Sequence, residues 1–178
     1  GDGGAIFTND DDLAEVLESI RMHGKGTTRY NNVRIGLNSR LDTIQAAILQ
    51  EKLQAFIDYE LEQINQIAKL YTEKLKDIVK TPVIPEGYYS SWAQYTVQLE
   101  NKKKRDVLQE RLKEKGIPTM IYYPKPLSLQ AAFADIVAPA DDKSTTGMLC
   151  NTVLSLPIHP YLEENNLELI SEAIRRGI

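Results

Sequence analysis

Apolar side chains return at helical intervals in some stretches of this chain and alternate with polar ones in others, and the contrast outlines its elements. Leu13, Val16, Leu17 and Ile20 repeat every three or four residues behind Asn9-Asp10-Asp11-Asp12, an acidic group that can accept bonds from the free N–H groups of a helix start. The short apolar run Ala5 to Thr8 precedes them, so the pattern predicts a strand leading into a helix. A far longer helical pattern follows. Leu49, Leu53, Phe56, Leu61, Ile64, Ile67, Tyr71, Leu75 and Ile78 keep a spacing of three to five residues up to Thr81-Pro82, where proline forbids continuation. Ser39, with Asp42 three residues on, reads as its N-cap and an acidic capping box. At roughly 1.5 Å per residue this helix would exceed about 50 Å, which outreaches a small domain. It is expected to bridge two domains or lie on a subunit partner, with a bend near Asp58 to Glu62.

Beyond Pro82 the periods alternate. Trp92 to Leu99 switches between large apolar and polar residues and predicts a strand, and Arg105 to Lys115 carries Val107, Leu108 and Leu112 on one helical face before stopping at Gly116. Ile117 to Tyr122 reads as a second strand, Gly147 to Thr152 as the end of a short helix, Val153 to Leu156 as a further strand and Leu162 to Arg176 as a last amphipathic helix. Strands and helices in alternation give a layered α/β domain from about Pro82 onward. Residues 22 to 37 fit neither period. They mix Gly24, Gly26 and Gly36 with Arg29, Tyr30, Asn31, Asn32 and Arg34, the composition of an exposed loop able to touch a ligand or partner.

Composition narrows the classes. With 178 residues, the chain is long enough for one ordinary domain or part of a larger one. No apolar run approaches the roughly 20 residues of a membrane span. Cys150 is the only cysteine and there are two histidines, so neither a disulfide framework nor a metal-ligand cluster is expected, and a reducing, cytoplasmic setting fits. The formal charge of -4 offers no broad attraction for nucleic acid. The dense basic run Lys102-Lys103-Lys104-Arg105 reads as a solvated turn at a helix start.

Several residues carry candidate chemistry. Asn38 and Arg40 flank the expected cap, where free N–H groups and the helix dipole favour an anion; the amide can donate to a phosphate oxygen and the guanidinium can grip a phosphate or carboxylate through two parallel bonds. Helix capping and surface charge would explain the same residues. Gly1-Asp2-Gly3-Gly4 permits positive φ and close backbone approach, or is a simple turn. Tyr122-Tyr123-Pro124-Lys125-Pro126-Leu127-Ser128 has prolines that set direction and rings that could pack on a sugar or on the core. His23 has no partner in view and is expected to be satisfied locally, and His159, between Ile158 and Pro160, to shape a turn.

Gly1-Asp2-Gly3-Gly4-Ala5-Ile6, the run Gly36-Leu37-Asn38-Ser39-Arg40-Leu41-Asp42-Thr43-Ile44-Gln45-Ala46-Ala47, the Tyr122 to Leu127 segment and Leu156-Pro157-Ile158-His159-Pro160 together resemble the DegT/DnrJ/EryC1/StrS sugar aminotransferases. The resemblance implies the C-terminal portion of a fold-type-I, aspartate aminotransferase-like enzyme that uses pyridoxal phosphate. Residues 1–40 would be the end of the large cofactor-binding domain with a substrate and dimer loop, 41–80 a long linking helix, and 81–178 a small C-terminal α/β domain. The family's Schiff-base lysine stands a few residues before the glycine-rich turn, hence upstream of Gly1, so the chain is expected to be a fragment without a catalytic residue and inactive alone. Asn38 would reach across a homodimer to the cofactor phosphate of the other subunit. Arg40, Arg29, Tyr30, Tyr122, Tyr123 and Ser128 would face the nucleotide sugar or the carboxylate of the amino-acid donor. The sequence departs from many relatives at Ser128, where they carry histidine. The activity implied is transfer of an amino group, from glutamate, to a keto group of a nucleotide-linked sugar in cell-surface polysaccharide or sugar-nucleotide biosynthesis. Within the family, Arg29-Tyr30 and Asn38 to Thr43 most resemble enzymes that aminate the 3-keto group of a UDP-N-acetylglucosaminuronate derivative. Two alternatives are a non-catalytic dimerising or regulatory module and a pyridoxal-phosphate-dependent sugar dehydratase of the same fold.

Overall fold

The computed structural model of the chain describes residues 3–28, 30–136 and 144–178. Two compact units divide between Phe56 and Ile57, inside the stretch read as one linking helix.

In the first unit, α1 spans Asp11–Arg21, and Asp10 caps it by accepting from Leu13 N across 2.9 Å. The strand expected at Ala5 to Thr8 is absent, because this segment meets no partner strand and leaves Phe7 91% exposed. Helix α2 spans Thr43–Ala55 and begins on Asp42, not on Ser39. The amide of Ser39 is bonded instead to Arg21 O at 3.0 Å, which holds it in extended pairing outside the helix. Gln45 Oε1 accepts from Asp42 N at 3.4 Å in its place. No residue of α2 is buried, and Ile44, Ile48, Leu49 and Leu53 are exposed along it.

Where a bend was expected, the helical bonds widen to a π turn over Phe56–Glu60, after which α3 spans Leu61–Leu75. Helix α3 opens the second unit's core. Ile64, Ile67, Ala68, Tyr71 and Leu75 are buried along its inner face at the spacing the sequence showed. It stops before Ile78, and the chain turns three residues earlier than the period suggested.

Strand β1 is Tyr95–Gln98 and β2 is Val153–Leu156, paired antiparallel with Tyr95 opposite Leu156 and Val97 opposite Leu154. This register puts Tyr95, Val97, Leu154 and Leu156 in the core. On the other face Thr96 Oγ1 lies 2.8 Å from Ser155 Oγ. The expected strand at Ile117 to Tyr122 reduces to one antiparallel bridge, Met120 with Ser155, and Lys80 makes a matching bridge to Gln98. Pro118 and Pro82 explain both truncations, since neither can donate to a ladder. The strand expected from Trp92 starts only at Tyr95, because Trp92 itself takes φ of 49°.

Helix α4 spans Lys102–Glu114, capped by Asn101, whose side chain accepts from Lys104 N at 3.0 Å. It ends in a Schellman pair, Gly116 N to Lys113 O and Ile117 N to Leu112 O, with Gly116 at φ 72° supplying the left-handed residue. Helices α5, Thr145–Thr152, and α6, Glu164–Gly177, complete the unit; α6 packs on α3 and α4, and α5 on α4. The basic run is no solvated turn throughout. Arg105 is 3% exposed and donates from Nη1 to Cys150 O and Val153 O, both at 3.2 Å, while Nε donates to Asp106 Oδ1 at 2.6 Å. Its place on the buried stripe Arg105, Leu108, Leu112 was visible in the spacing, but its charge drew the reading to the surface.

Candidate functional site

After α1 the chain reverses in an irregular hairpin, joined by antiparallel bridges between Met22 and Asn38 and between Lys25 and Asn32. At its base, His23 N donates to Leu37 O at 2.9 Å, Ser39 N to Arg21 O at 3.0 Å and Leu37 N to Ile20 O at 2.8 Å. Asn38 is therefore held by backbone bonds on both sides, although its side chain is exposed. Arg40 donates from Nε to Asn38 Oδ1 across 2.9 Å. This bond takes one lone pair of the Asn38 oxygen and leaves the Asn38 amide N–H groups and the two terminal nitrogens of a permanently charged guanidinium as donors, beside one further acceptor site on that oxygen. Such a donor-rich pair fits a phosphate or carboxylate and offers no base for proton abstraction. The helix dipole contributes less than expected, because α2 starts at Thr43 and the carboxylate-bearing Asp42 stands at its N-cap.

Tyr30, at φ 67° and exposed, sits toward the tip of the same hairpin. Arg29 and Asp2 lie outside the described residues. His23 also has positive φ, 64°, where the chain reverses. A cleft of about 430 Å³ opens beside the hairpin, lined by Glu15, Glu18, Lys25, Thr27 and Arg34 among others; Asn38 and Arg40 are not in its wall.

The second unit carries a cleft of about 290 Å³ that brings Tyr122 and His159 together with Gln94, Thr119 and Ser155. Tyr123 is exposed, Ser128 is half-buried in the 3-10 turn Leu127–Leu129, and neither lines this cleft. Two tyrosines fix the turn that presents His159. Tyr71 donates to Pro157 O at 3.0 Å from beneath, and burial pushes its phenol well above the ordinary range, so it remains a donor. Tyr161 donates to the Glu60 carboxylate and lies 3.3 Å from Tyr59 Oη; the bond to Glu60 raises its pKa. Sequence reasoning missed this network, and the only signal was an aromatic residue directly after Pro160.

Among the described residues, no group of three or more His, Cys, Asp and Glu could hold a metal ion. None of the described helices is long and apolar enough to cross a membrane.

The model of the DegT/DnrJ/EryC1/StrS aminotransferase family matches residues 1–175. A Pseudomonas aeruginosa protein named UDP-2-acetamido-2-deoxy-3-oxo-D-glucuronate aminotransferase is 45% identical over 98% of this chain and 46% of its own length. A Geobacillus stearothermophilus protein named pleiotropic regulatory protein is 43% identical, again over 98% of this chain and 46% of its own. Among solved structures, an aminotransferase of the family from Brucella abortus superposes with a TM-score of 0.88 at 49% identity, over 96% of this chain and 44% of that one. The chain thus spans about half the length of the curated relatives it matches. Its mixed helix and strand architecture is that of part of a fold-type-I enzyme.

Proposed function

Because the chain belongs to the DegT/DnrJ/EryC1/StrS aminotransferase family, we propose that it is part of an enzyme that moves an amino group from an amino acid, glutamate, to a keto group of a nucleotide-linked sugar. The observation that carries this reading is the donor-rich pair of Asn38 and Arg40, fixed at the hairpin base by backbone bonds. Pyridoxal phosphate, the cofactor of this family, supplies an electron sink for amino-group transfer when bound. In this reading Asn38 donates from Nδ2 to the cofactor phosphate of a partner subunit in a homodimer. Arg40 binds the substrate diphosphate or the donor carboxylate, and Arg29, Tyr30, Tyr122, Tyr123 and Ser128 are proposed as further contacts to the substrates.

The exposed apolar residues of α2 support contact with further protein, which is the reason to keep residues 41–80 as a link between a large domain ending near residue 40 and a small domain from residue 81. None of the site candidates is a lysine placed to anchor the cofactor. The reading assigns that anchoring to another part of the full-length protein and expects the isolated chain to be inactive. A UDP-linked 3-keto hexuronate is the substrate proposed, supported by the name of the 45% identical relative, and the cytoplasm, where such nucleotides are made, is the setting proposed.

The test is to incubate the full-length protein with pyridoxal phosphate and glutamate and to follow 2-oxoglutarate release with and without the keto sugar nucleotide. Sustained release only when the keto sugar is present is the expected result; no release under either condition would overturn it. A non-catalytic, regulatory reading is favoured by the name of the 43% identical relative. It requires that the full-length protein bind its partner while lacking a lysine able to hold the cofactor, which mass spectrometry after borohydride reduction with pyridoxal phosphate would decide.

A further inference from the structure

We infer that a glycine-on-glycine backbone crossing, Gly24 against Gly36, is what holds Asn38 and Arg40 in anion-binding position, so that both glycines are positioning residues of the site. The inference rests on the reading of that pair as phosphate-binding. At Gly36 a Cβ atom would fall 2.1 Å from Gly24 N, 2.5 Å from His23 C and 2.6 Å from Ile20 O. At Gly24, where φ is 73°, a Cβ would fall 1.7 Å from Arg34 O. These obstacles are backbone atoms, not the yielding ends of long side chains. The two strands of the hairpin can approach this closely only because neither residue has a side chain.

The crowded atoms are the ones that place the site. Ile20 O, which a Gly36 side chain would strike, accepts the amide of Leu37 at 2.8 Å. His23, struck on its carbonyl carbon, donates to Leu37 O at 2.9 Å, and Gly24 N donates to Ser19 O at 2.8 Å, tying the crossing to the end of α1. Asn38 follows directly and Arg40 hangs from it by the 2.9 Å bond. Relieving the contact at Gly36 requires the strands to part by roughly 1 Å, whereas a binding constellation tolerates about 0.5 Å. The displacement would be passed to Asn38 through Leu37 alone, since no intervening loop can absorb it.

The experiment compares Gly36→Ala, Asn38→Ala and their double variant in the full-length protein, with Gly116→Ala as control; Gly116 has equally positive φ, 72°, but open space around it. Affinity for pyridoxal phosphate is read by equilibrium titration and fold by thermal melting of the cofactor-free protein. Gly36→Ala is expected to weaken the cofactor by about tenfold or more with a cooperative melt retained, and Gly116→Ala to leave affinity unchanged. In the Asn38→Ala background the Gly36 change should add little, because its effect runs through Asn38. Equal, additive losses would overturn the inference and leave the phosphate reading standing. Full affinity in Asn38→Ala would sink that reading and the inference with it. Should Gly36→Ala not fold, hydrogen exchange on the unaltered protein decides: cofactor binding is expected to slow exchange of the Leu37 and Ser39 amides, and unchanged exchange at a saturated site would refute the link.

Discussion

Arg40 donates from Nε to the side-chain oxygen of Asn38 across 2.9 Å, so a cation and an amide two residues apart act as one group rich in free donors. Replacing Arg40 by lysine keeps the charge but loses the planar fork that both holds Asn38 and grips an anion. One charge-assisted bond is worth about 1.5–3 kcal/mol, so cofactor or substrate affinity of the full-length protein should fall by about tenfold or more in Arg40→Lys. Thermal stability should be unaffected, because both side chains are exposed. Isothermal titration alongside melting separates the two; equal affinity in wild type and variant would remove Arg40 from the site.

Arg105 is the opposite case, a cation with a structural task. Its Nη1 satisfies Cys150 O and Val153 O where α5 gives way to β2. Arg105→Ala should destabilise the second unit by about 2–3 kcal/mol, since two carbonyls lose a charged donor and α4 loses packing. Urea denaturation measures this, and a loss below about 0.5 kcal/mol, typical of a surface change, would show that the guanidinium is dispensable.

Trp92, the only tryptophan, is 8% exposed and adopts φ of 49°, held by Asn65, which accepts from its Nε1 at 2.9 Å and donates to Ser90 O at 3.1 Å. Asn65→Ala should therefore free the indole. We expect a red-shifted emission maximum and a stability loss of about 1–3 kcal/mol from the unpaired buried N–H. An unshifted spectrum would mean that packing on Tyr95, at a ring separation of 5.5 Å, suffices.

The rings of Tyr71 and Tyr95 stack 5.1 Å apart. Burial raises the pKa of both phenols. The folded state then keeps protons that the unfolded chain releases above about pH 10, so this contribution is complete below that value and is lost progressively as pH rises from there towards the raised folded-state values. The urea midpoint should fall between about pH 9 and pH 11, and the fall should be shallower in Tyr71→Phe, even though that variant starts lower for want of the bond to Pro157 O. An identical slope in both proteins would place the alkaline loss elsewhere.

Much of the architecture was legible because it is local. The acidic start of α1, the Gly116 stop of α4 and the buried stripe of α3 each declare themselves within a few residues. Ala5 to Thr8 and Ile117 to Tyr122 carry the composition of strands without becoming strands, since a strand exists only through a neighbour and Pro118 removes a donor that a neighbour would need. Ser39 looked like a cap and is not, because its amide is bonded across the hairpin to Arg21 O.

The site divides in the same way. The run from Gly36 to Ala47 carries the family resemblance in its order of residues alone, and it marked Asn38 and Arg40 as neighbours with anion chemistry. Nothing in that order shows that Asn38 faces Met22, that Gly24 and Gly36 touch, or that Arg105 is buried. Helical periods, caps and motif order are set by residues close along the chain and can be read from it. Strand pairing, glycine crossings and the burial of a charge depend on which distant segments meet, and only the folded chain brings those segments together.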